Sequence, residues 1–208
     1  MKIVLFGDSI TDAGRNRGID FHGSSYGYGY ANFIAGELLS QDPAGYEIYN
    51  RGISGNRIVD LYARIKCDVW NLQPDVLSIL IGVNDVWHEV AAKNGVELER
   101  WDRMYRMLIE DTLQRLPNVK IILCEPFILE GTATGEQMDK FIDVQMYAKA
   151  AKQIAEDYNL AFVPLQDMLH QAALKSEPKY VLEDGVHPAT GGAKLIANEW
   201  LKVFNEIK

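Results

Sequence analysis

Cysteine is scarce in this chain: only Cys67 and Cys124 carry a thiol among 208 residues. Two cysteines cannot form the disulfide framework that stabilises small secreted domains. Both stand beside apolar residues in the sequence, so we expect two buried free thiols. Stability must then come from a hydrophobic core, and a hydrophobic content of 48% is sufficient to build one.

Positive charge is also in short supply. The chain has 21 lysines and arginines against 29 aspartates and glutamates, which gives a formal net charge of −8. Nucleic acids and anionic membranes are usually bound through clustered basic residues. We therefore exclude a nucleic-acid or membrane partner and expect a small or neutral one. The aromatic residues, 10% of the chain, lead us to expect a homo-oligomer as well.

A long apolar run is missing at the amino terminus. Only the four residues from Ile3 to Phe6 are apolar before the polar Gly7-Asp8-Ser9 begins. A secretory signal needs roughly seven to fifteen apolar residues at this place. We therefore interpret the run as a first β-strand and expect a cytoplasmic protein.

Short apolar runs recur along the chain and alternate with segments of helical periodicity. They contain little polar alternation, which is typical of strands buried on both faces of a sheet. Five strands are predicted, at Ile3–Phe6, Tyr46–Tyr49, Val76–Ile81, Val119–Cys124 and Ala161–Val163.

Apolar residues spaced three and four apart predict the helices between these strands. The segments are Ile58–Ile65, Tyr105–Leu116, Phe141–Tyr158 and Ala193–Phe204. Strands that alternate with helices favour parallel pairing and right-handed crossovers. The prediction is a single α/β domain over residues 1–208, with a flavodoxin-like, doubly wound sheet of five parallel strands flanked by helices. Ligands of such sheets bind at the carboxyl ends of the strands.

Three residues have the chemistry of a catalytic serine triad. Ser9 follows the first predicted strand, and Asp184 and His187 stand three residues apart before the last predicted helix. A serine hydroxyl needs an imidazole to take its proton, and the imidazole needs a carboxylate to fix its tautomer. We predict Ser9 as nucleophile, His187 as general base and Asp184 as its partner.

Candidate donors for an oxyanion hole lie after the first three strands. The Ser9 amide stands at a helix amino terminus, where free N–H groups favour negative charge. Gly52 can bring its amide close to a substrate because it lacks a side chain, and Asn84 can supply a side-chain amide. The predicted oxyanion hole is therefore Ser9, Gly52 and Asn84.

Two other kinds of site are weighed against this one. Asp184 and His187 offer only two metal ligands and no third is evident, so we predict no metal and no cofactor. Gly23-Ser24-Ser25-Tyr26-Gly27 fits the Gly-x-Ser-x-Gly pattern of α/β-hydrolases, whose serine lies between a strand and a helix. The polar segment Arg15–Asp20 precedes it and cannot be a buried strand, so we reject Ser25 as the nucleophile.

The order of these motifs resembles the SGNH or GDSL-type hydrolases, which are named for a Ser, a Gly, an Asn and a His in four sequence blocks. The matching positions are Ser9 in Gly7-Asp8-Ser9-Ile10, Gly52, Asn84, and His187 with Asp184. Ile10 replaces the leucine of the family's name and keeps its apolar character. The resemblance covers nearly the whole chain and implies the SGNH-hydrolase fold and a serine esterase that forms an acyl-Ser9 intermediate.

Within that family, the stretches Gly52–Asn56, Asp60–Arg64 and Ser78–Trp87 are most similar to intracellular acetylxylan esterases. This resemblance implies acetylated xylo-oligosaccharides as substrates. Sugars stack on aromatic side chains, and we predict Trp87 and Tyr26 as substrate-binding residues. Two alternatives stay open here: a lysophospholipase or acyl thioesterase, and a non-enzymatic module that binds glycans or proteins.

Overall fold

The computed structural model describes residues 1–208 and contains a sheet of five strands that are all parallel. Their order is β2-β1-β3-β4-β5, which is the flavodoxin-like order and confirms the predicted fold class. The strands are β1 (Lys2–Gly7), β2 (Glu47–Gly52), β3 (Val76–Leu80), β4 (Lys120–Cys124) and β5 (Ala161–Val163).

Nine helices connect and cover these strands. Helix α2 contacts α9 on one side of the sheet, and α3, α5 and α7 contact one another in succession. The helices are α1 (Ser9–Asp12), α2 (Tyr30–Gln41), α3 (Ile58–Asp68), α4 (Val83–Ala92), α5 (Leu98–Arg115), α6 (Met138–Phe141), α7 (Val144–Asp157), α8 (Gln166–Ala173) and α9 (Thr190–Ile207).

The predicted elements differ from the observed ones at a few places. Strand β2 continues through Asn50, Arg51 and Gly52, because these residues pair with the end of β1 although they are not apolar. The segment predicted as one helix from Phe141 is broken into α6 and α7. Helices α2, α4 and α8 lie outside the predicted segments.

One hydrophobic cluster of 55 buried residues joins the sheet to both helical layers. Ser78 in β3 is a buried polar residue beside this cluster; its hydroxyl accepts a hydrogen bond from the Trp200 indole at 2.8 Å and lies 3.6 Å from the sulfur of Cys124. Cys124 is buried as predicted, but the prediction for Cys67 is wrong, because Cys67 lies on the exposed side of α3. None of the helices is both long and apolar enough to cross a membrane.

Candidate active site

The carboxyl ends of three neighbouring strands meet at one edge of the sheet. In the parallel register Gly7 of β1 pairs with Gly52 of β2 on one side and with Leu80 of β3 on the other. The segments that follow β1 and β3 begin at the same level and lead into α1, which starts with Ser9, and α4, which contains Asn84. The fold therefore gathers the predicted catalytic segments at one edge, where parallel sheets bind ligands.

The turn that carries Ser9 is fixed by the backbone on both sides. The Asp8 carboxylate caps α1 by accepting the Ile10 amide at 2.9 Å. A Cβ on Gly7 would lie 2.4 Å from Thr11 Oγ1 and 2.5 Å from the Leu80 carbonyl oxygen, so only glycine fits there. Ser9 is therefore the first residue of a single helical turn, and the glycine before this turn packs closely against the end of β3.

The three predicted triad residues form a continuous hydrogen-bonded chain. Ser9 Oγ lies 2.9 Å from His187 Nε2, and His187 Nδ1 lies 2.7 Å from Asp184 Oδ2. The other oxygen of the carboxylate, Oδ1, accepts the amides of Val186 at 2.9 Å and His187 at 2.8 Å. Asp184 therefore orients the imidazole and also closes the turn that carries it.

The environment of Asp184 favours its ionised form. Burial acts to raise the pKa of this carboxyl, but the hydrogen bonds from the His187 amide, the His187 ring and the Val186 amide outweigh it and hold the pKa below its ordinary value. An ionised carboxylate beside Nδ1 would stabilise the positive charge of an imidazole that accepted a proton from a serine hydroxyl.

A second loop supports the turn of Asp184 and His187. The Ala133 amide donates to the Asp184 carbonyl at 3.0 Å, and the Leu129 amide donates to the Gly185 carbonyl at 2.9 Å. Within this loop the buried Thr134 hydroxyl accepts the Gly131 amide at 2.9 Å and donates to the Leu129 carbonyl at 2.7 Å. We name residues 129–134 the supporting loop.

The amide of Gly52 is not free to bind an oxyanion, which corrects the prediction for this residue. Its N–H donates to Asn50 Oδ1 at 2.9 Å. A Cβ at Gly52 would lie 2.1 Å from the Asp12 nitrogen. Glycine is therefore required at this position for the close approach of β2 to α1.

The glycine of the same segment with a free amide is Gly55. Its N–H has no acceptor in the protein, its φ is +82°, and a Cβ there would meet no atom within 4 Å. Its neighbour Ser54 lines the cleft beside Ser9, and the carbonyl of its other neighbour, Asn56, accepts a hydrogen bond from Asn84 Nδ2 at 3.1 Å. The left-handed backbone at Gly55 distinguishes the two glycines, and the amino-acid sequence alone does not reveal this angle.

The other two predicted donors each have an N–H group without an acceptor. The Ser9 amide has no acceptor in the protein. Asn84, at the start of α4, is buried and uses one hydrogen of its side-chain amide on Asn56, which leaves the second free. The amides of Ser9 and Gly55 and the Asn84 side chain are therefore the donors that this edge of the sheet offers.

A cleft of about 660 Å³ opens over Ser9 and His187. Its walls are mostly polar, and the residues that line it are Ser9, Asp12, Ala13, Gly14, Arg15, Arg17, Tyr28, Ser54, Glu183, Asp184 and His187. Arg15 Nε donates to the Gly52 carbonyl at 2.9 Å, and Arg17 pairs with Asp12. Asp12 Oδ2 also accepts the Ser54 amide at 3.0 Å, so charged side chains fasten the Ser54–Gly55 turn to the nucleophile segment.

The two predicted substrate-binding aromatic residues lie in different environments. Trp87 is partly exposed, and its ring centroid lies 6.0 Å from that of His187 and 5.7 Å from that of Phe141. Tyr26 is only 6% exposed and does not line the cleft, because the short 3-10 helix Gly23–Tyr26 turns it into the core. The prediction for Tyr26 is therefore wrong, and Tyr28 is the tyrosine in the cleft.

The rival serine has no catalytic surroundings. Ser25 is buried, its hydroxyl donates to the His22 carbonyl at 2.7 Å, and it accepts the His22 amide at 3.2 Å. It caps a short 3-10 helix and lies neither after a strand nor beside an acid–base pair.

Comparison with known proteins gives a consistent result. The model of the GDSL-like Lipase/Acylhydrolase family matches residues 5–195. The chain is 36% identical to the acetylxylan esterase of Geobacillus stearothermophilus, over 97% of this chain and 92% of that protein. The crystal structure of an acetylxylan esterase from that organism has a TM-score of 0.85 at 35% identity, covering 97% and 93% of the two chains. A Parabacteroides merdae protein assigned to the GDSL-like lipases has a TM-score of 0.91 at 39% identity, covering 98% and 95%.

Proposed function

Because the chain belongs to the GDSL-like lipase/acylhydrolase family and is a carboxylic ester hydrolase, we propose that it removes O-acetyl groups from xylo-oligosaccharides through an acetyl-Ser9 intermediate. The observation that carries the proposal is the chain of hydrogen bonds from Ser9 through His187 to Asp184, with free N–H donors at the same edge of the sheet.

In the first step, Ser9 Oγ attacks the acetyl carbonyl carbon while His187 Nε2 removes the hydroxyl proton. Asp184 accepts a hydrogen bond from Nδ1 and stabilises the imidazolium. The carbonyl oxygen becomes an oxyanion, which accepts hydrogen bonds from the amides of Ser9 and Gly55 and from the Asn84 side chain. Collapse of this intermediate breaks the bond to the sugar oxygen, which leaves with the proton from His187.

In the second step, water replaces the sugar. His187 Nε2 removes a proton from the water as its oxygen attacks the acetyl-Ser9 carbonyl, and the same donors hold the new oxyanion. The bond to Ser9 Oγ then breaks, the serine regains its proton from His187, and acetate leaves.

Two observations support a short acyl group and a polar alcohol. The cleft over Ser9 is lined by charged and small polar side chains, with only two hydrophobic residues among eleven. A long acyl chain would need an apolar groove instead. The second observation is the similarity of the sequence to an acetylxylan esterase along nearly the full length of both chains.

The experiment is a substrate panel in which the released carboxylic acid is measured, acetate for acetylated xylo-oligosaccharides and fatty acid for lysophospholipid. We expect release of acetate from acetylated xylo-oligosaccharides and no release of fatty acid from lysophospholipid. A parallel series of 4-nitrophenyl esters should peak at two carbons. A peak at eight carbons or more would favour the lysophospholipase or thioesterase alternative, and absence of hydrolysis throughout would favour a binding module.

A further inference from the structure

Tyr28 is a large aromatic side chain exposed within the catalytic cleft. It is 73% exposed, more than any other large hydrophobic residue of the protein. It lines the same cleft as Ser9 and His187. The hydrogen-bonded chain of Ser9, His187 and Asp184 does not use it, so its ring is available to a ligand that enters the cleft.

The Tyr28 ring lies so close to the backbone of Gly14 that a larger residue would not fit there. A Cβ on Gly14 would lie 2.7 Å, 3.3 Å and 3.7 Å from three atoms of the Tyr28 ring. Gly14 has a φ of +68°, and the Tyr28 amide donates to the Ala13 carbonyl at 2.9 Å. The ring therefore packs on the Gly14 backbone, and its high exposure comes from the opposite side.

Hydrogen-bond donors lie in the same cleft. The Nε of Arg15 is used by the Gly52 carbonyl, but its two terminal nitrogens have no acceptor in the protein. Arg15 also has no carboxylate within 4.0 Å, whereas Arg17 is paired with Asp12. The guanidinium is half-buried, and burial lowers its pKa, so an oxygen-rich ligand would supply interactions that the protein does not.

The cleft also has more room than an acetyl group needs. Its volume of about 660 Å³ falls within the range of roughly 300–1,000 Å³ that is typical of sites for drug-sized ligands. A flat aromatic face with nearby N–H donors suits a pyranose ring, which has C–H groups on its faces and hydroxyls at its edge.

We propose that Tyr28 and Arg15 form a subsite for a second sugar residue, next to the acetylated one, with Tyr28 as the stacking face and Arg15 as the donor to hydroxyls. This inference rests on the proposed function and deepens it, because it makes the enzyme selective for oligosaccharides over acetylated monosaccharides.

The test compares kcat/KM for acetylated xylotriose, acetylated xylose and 4-nitrophenyl acetate in the wild type and in Tyr28→Ala. The ratio of xylotriose to xylose activity should fall roughly three- to tenfold in Tyr28→Ala, through KM, which is the size of one aromatic stacking contact. Tyr28→Trp keeps an aromatic face and should retain most of the ratio. Tyr180→Ala removes a tyrosine that is 60% exposed outside the cleft and should leave the ratio unchanged.

Arg15→Gln is a second, independent test of the same subsite. It should also lower the ratio, and it should raise the KM for xylotriose more than that for xylose. Equal activity of the wild type on xylotriose and xylose, or an unchanged ratio in Tyr28→Ala, would overturn the subsite and leave the proposed function intact. Hydrolysis of 4-nitrophenyl acetate without acetate release from either sugar would overturn both.

Discussion

The two halves of the catalytic centre are held in different ways. Ser9 is placed by the sheet itself, because its turn continues β1 and is wedged between Gly52 and Leu80 of the neighbouring strands. His187 lies outside the sheet, on a turn that is closed by the carboxylate of Asp184 and supported by residues 129–134. Ser9 is therefore positioned by the pairing of the strands, whereas His187 is positioned by a turn that is anchored by the buried Val186 and by hydrogen bonds between loops.

This difference has a consequence for how substitutions act. Changes on the side of His187 should alter turnover with little change in the sheet. Changes near Ser9 should act on chemistry or on global stability, and the two can be told apart.

The largest effect is expected from Ser9→Ala. Loss of the nucleophile should lower kcat/KM roughly ten-thousandfold or more, with an unchanged Tm, because the hydroxyl supports no packing. Ser25→Ala is the control for the rival serine and should keep its activity. The assignment would be contradicted by wild-type turnover in Ser9→Ala.

Asp184→Asn tests the hydrogen bond between the Asp184 carboxylate and the His187 ring. An asparagine can still accept the two backbone amides, but its NH₂ would face His187 Nδ1 and impose the wrong tautomer. We expect kcat to fall roughly a thousandfold to ten-thousandfold, with only a small decrease in Tm. Asp184→Ala should lower Tm further, since it also leaves the Val186 and His187 amides without their acceptor. Equal Tm values for the two variants would show that the turn does not depend on this carboxylate.

Thr134→Val tests the supporting loop without touching the triad. It removes the acceptor of the Gly131 amide and the donor to the Leu129 carbonyl, which should destabilise the protein by about 1–3 kcal/mol. We expect kcat to fall several-fold because the turn of His187 becomes looser. Thr134→Ser keeps the hydroxyl and should restore kcat. If it fails to do so, the methyl group and not the hydrogen bonds supports the turn.

Asp8→Asn tests the segment that carries Ser9, by comparing thermal stability at two pH values. Burial raises the pKa of the Asp8 carboxyl from 3.8 to about 7, and the Ile10 amide and His187 offset this only in part. The folded protein thus holds a proton that the unfolded chain releases, so this group lowers stability as pH rises from about 4 to about 7. Asparagine can keep the cap without a charge. The gain in Tm over the wild type should therefore be larger at pH 8 than at pH 5.

The exposed Asp139→Asn is the matched control for that comparison, because it replaces a surface carboxylate by the same amide, and its Tm difference at each pH is subtracted from that of Asp8→Asn. An equal gain at both pH values for Asp8→Asn would contradict the raised pKa. A loss of Tm at both would show that the cap needs a carboxylate.

Sequence patterns were sufficient for the sheet and for the three residues that the structure joins by hydrogen bonds. Strands buried on both faces leave apolar runs, and a serine, a histidine and a carboxylate are among the few residue types that can form such a chain. The catalytic functions of Ser9, Asp184 and His187 stay a prediction. Gly52 and Gly55 could not be told apart in this way, because the difference lies in a backbone angle and in the side chain of Asn50.

The remaining errors also have tertiary causes. Tyr26 and Tyr28 are two residues apart, and the short 3-10 helix after His22 decides which of them enters the core. Cys67 has apolar neighbours along the chain but lies on the outer face of its helix. The expected homo-oligomer and the cytoplasmic location stay predictions.

The most direct measurement is mass spectrometry of the enzyme quenched with acid during turnover of 4-nitrophenyl acetate. The account predicts one added acetyl group on the peptide that contains Ser9, more of it in Asp184→Asn if deacylation slows more than acylation, and none in Ser9→Ala. An acetyl group found reproducibly on Ser25 or another residue, with Ser9 unmodified, would contradict the account.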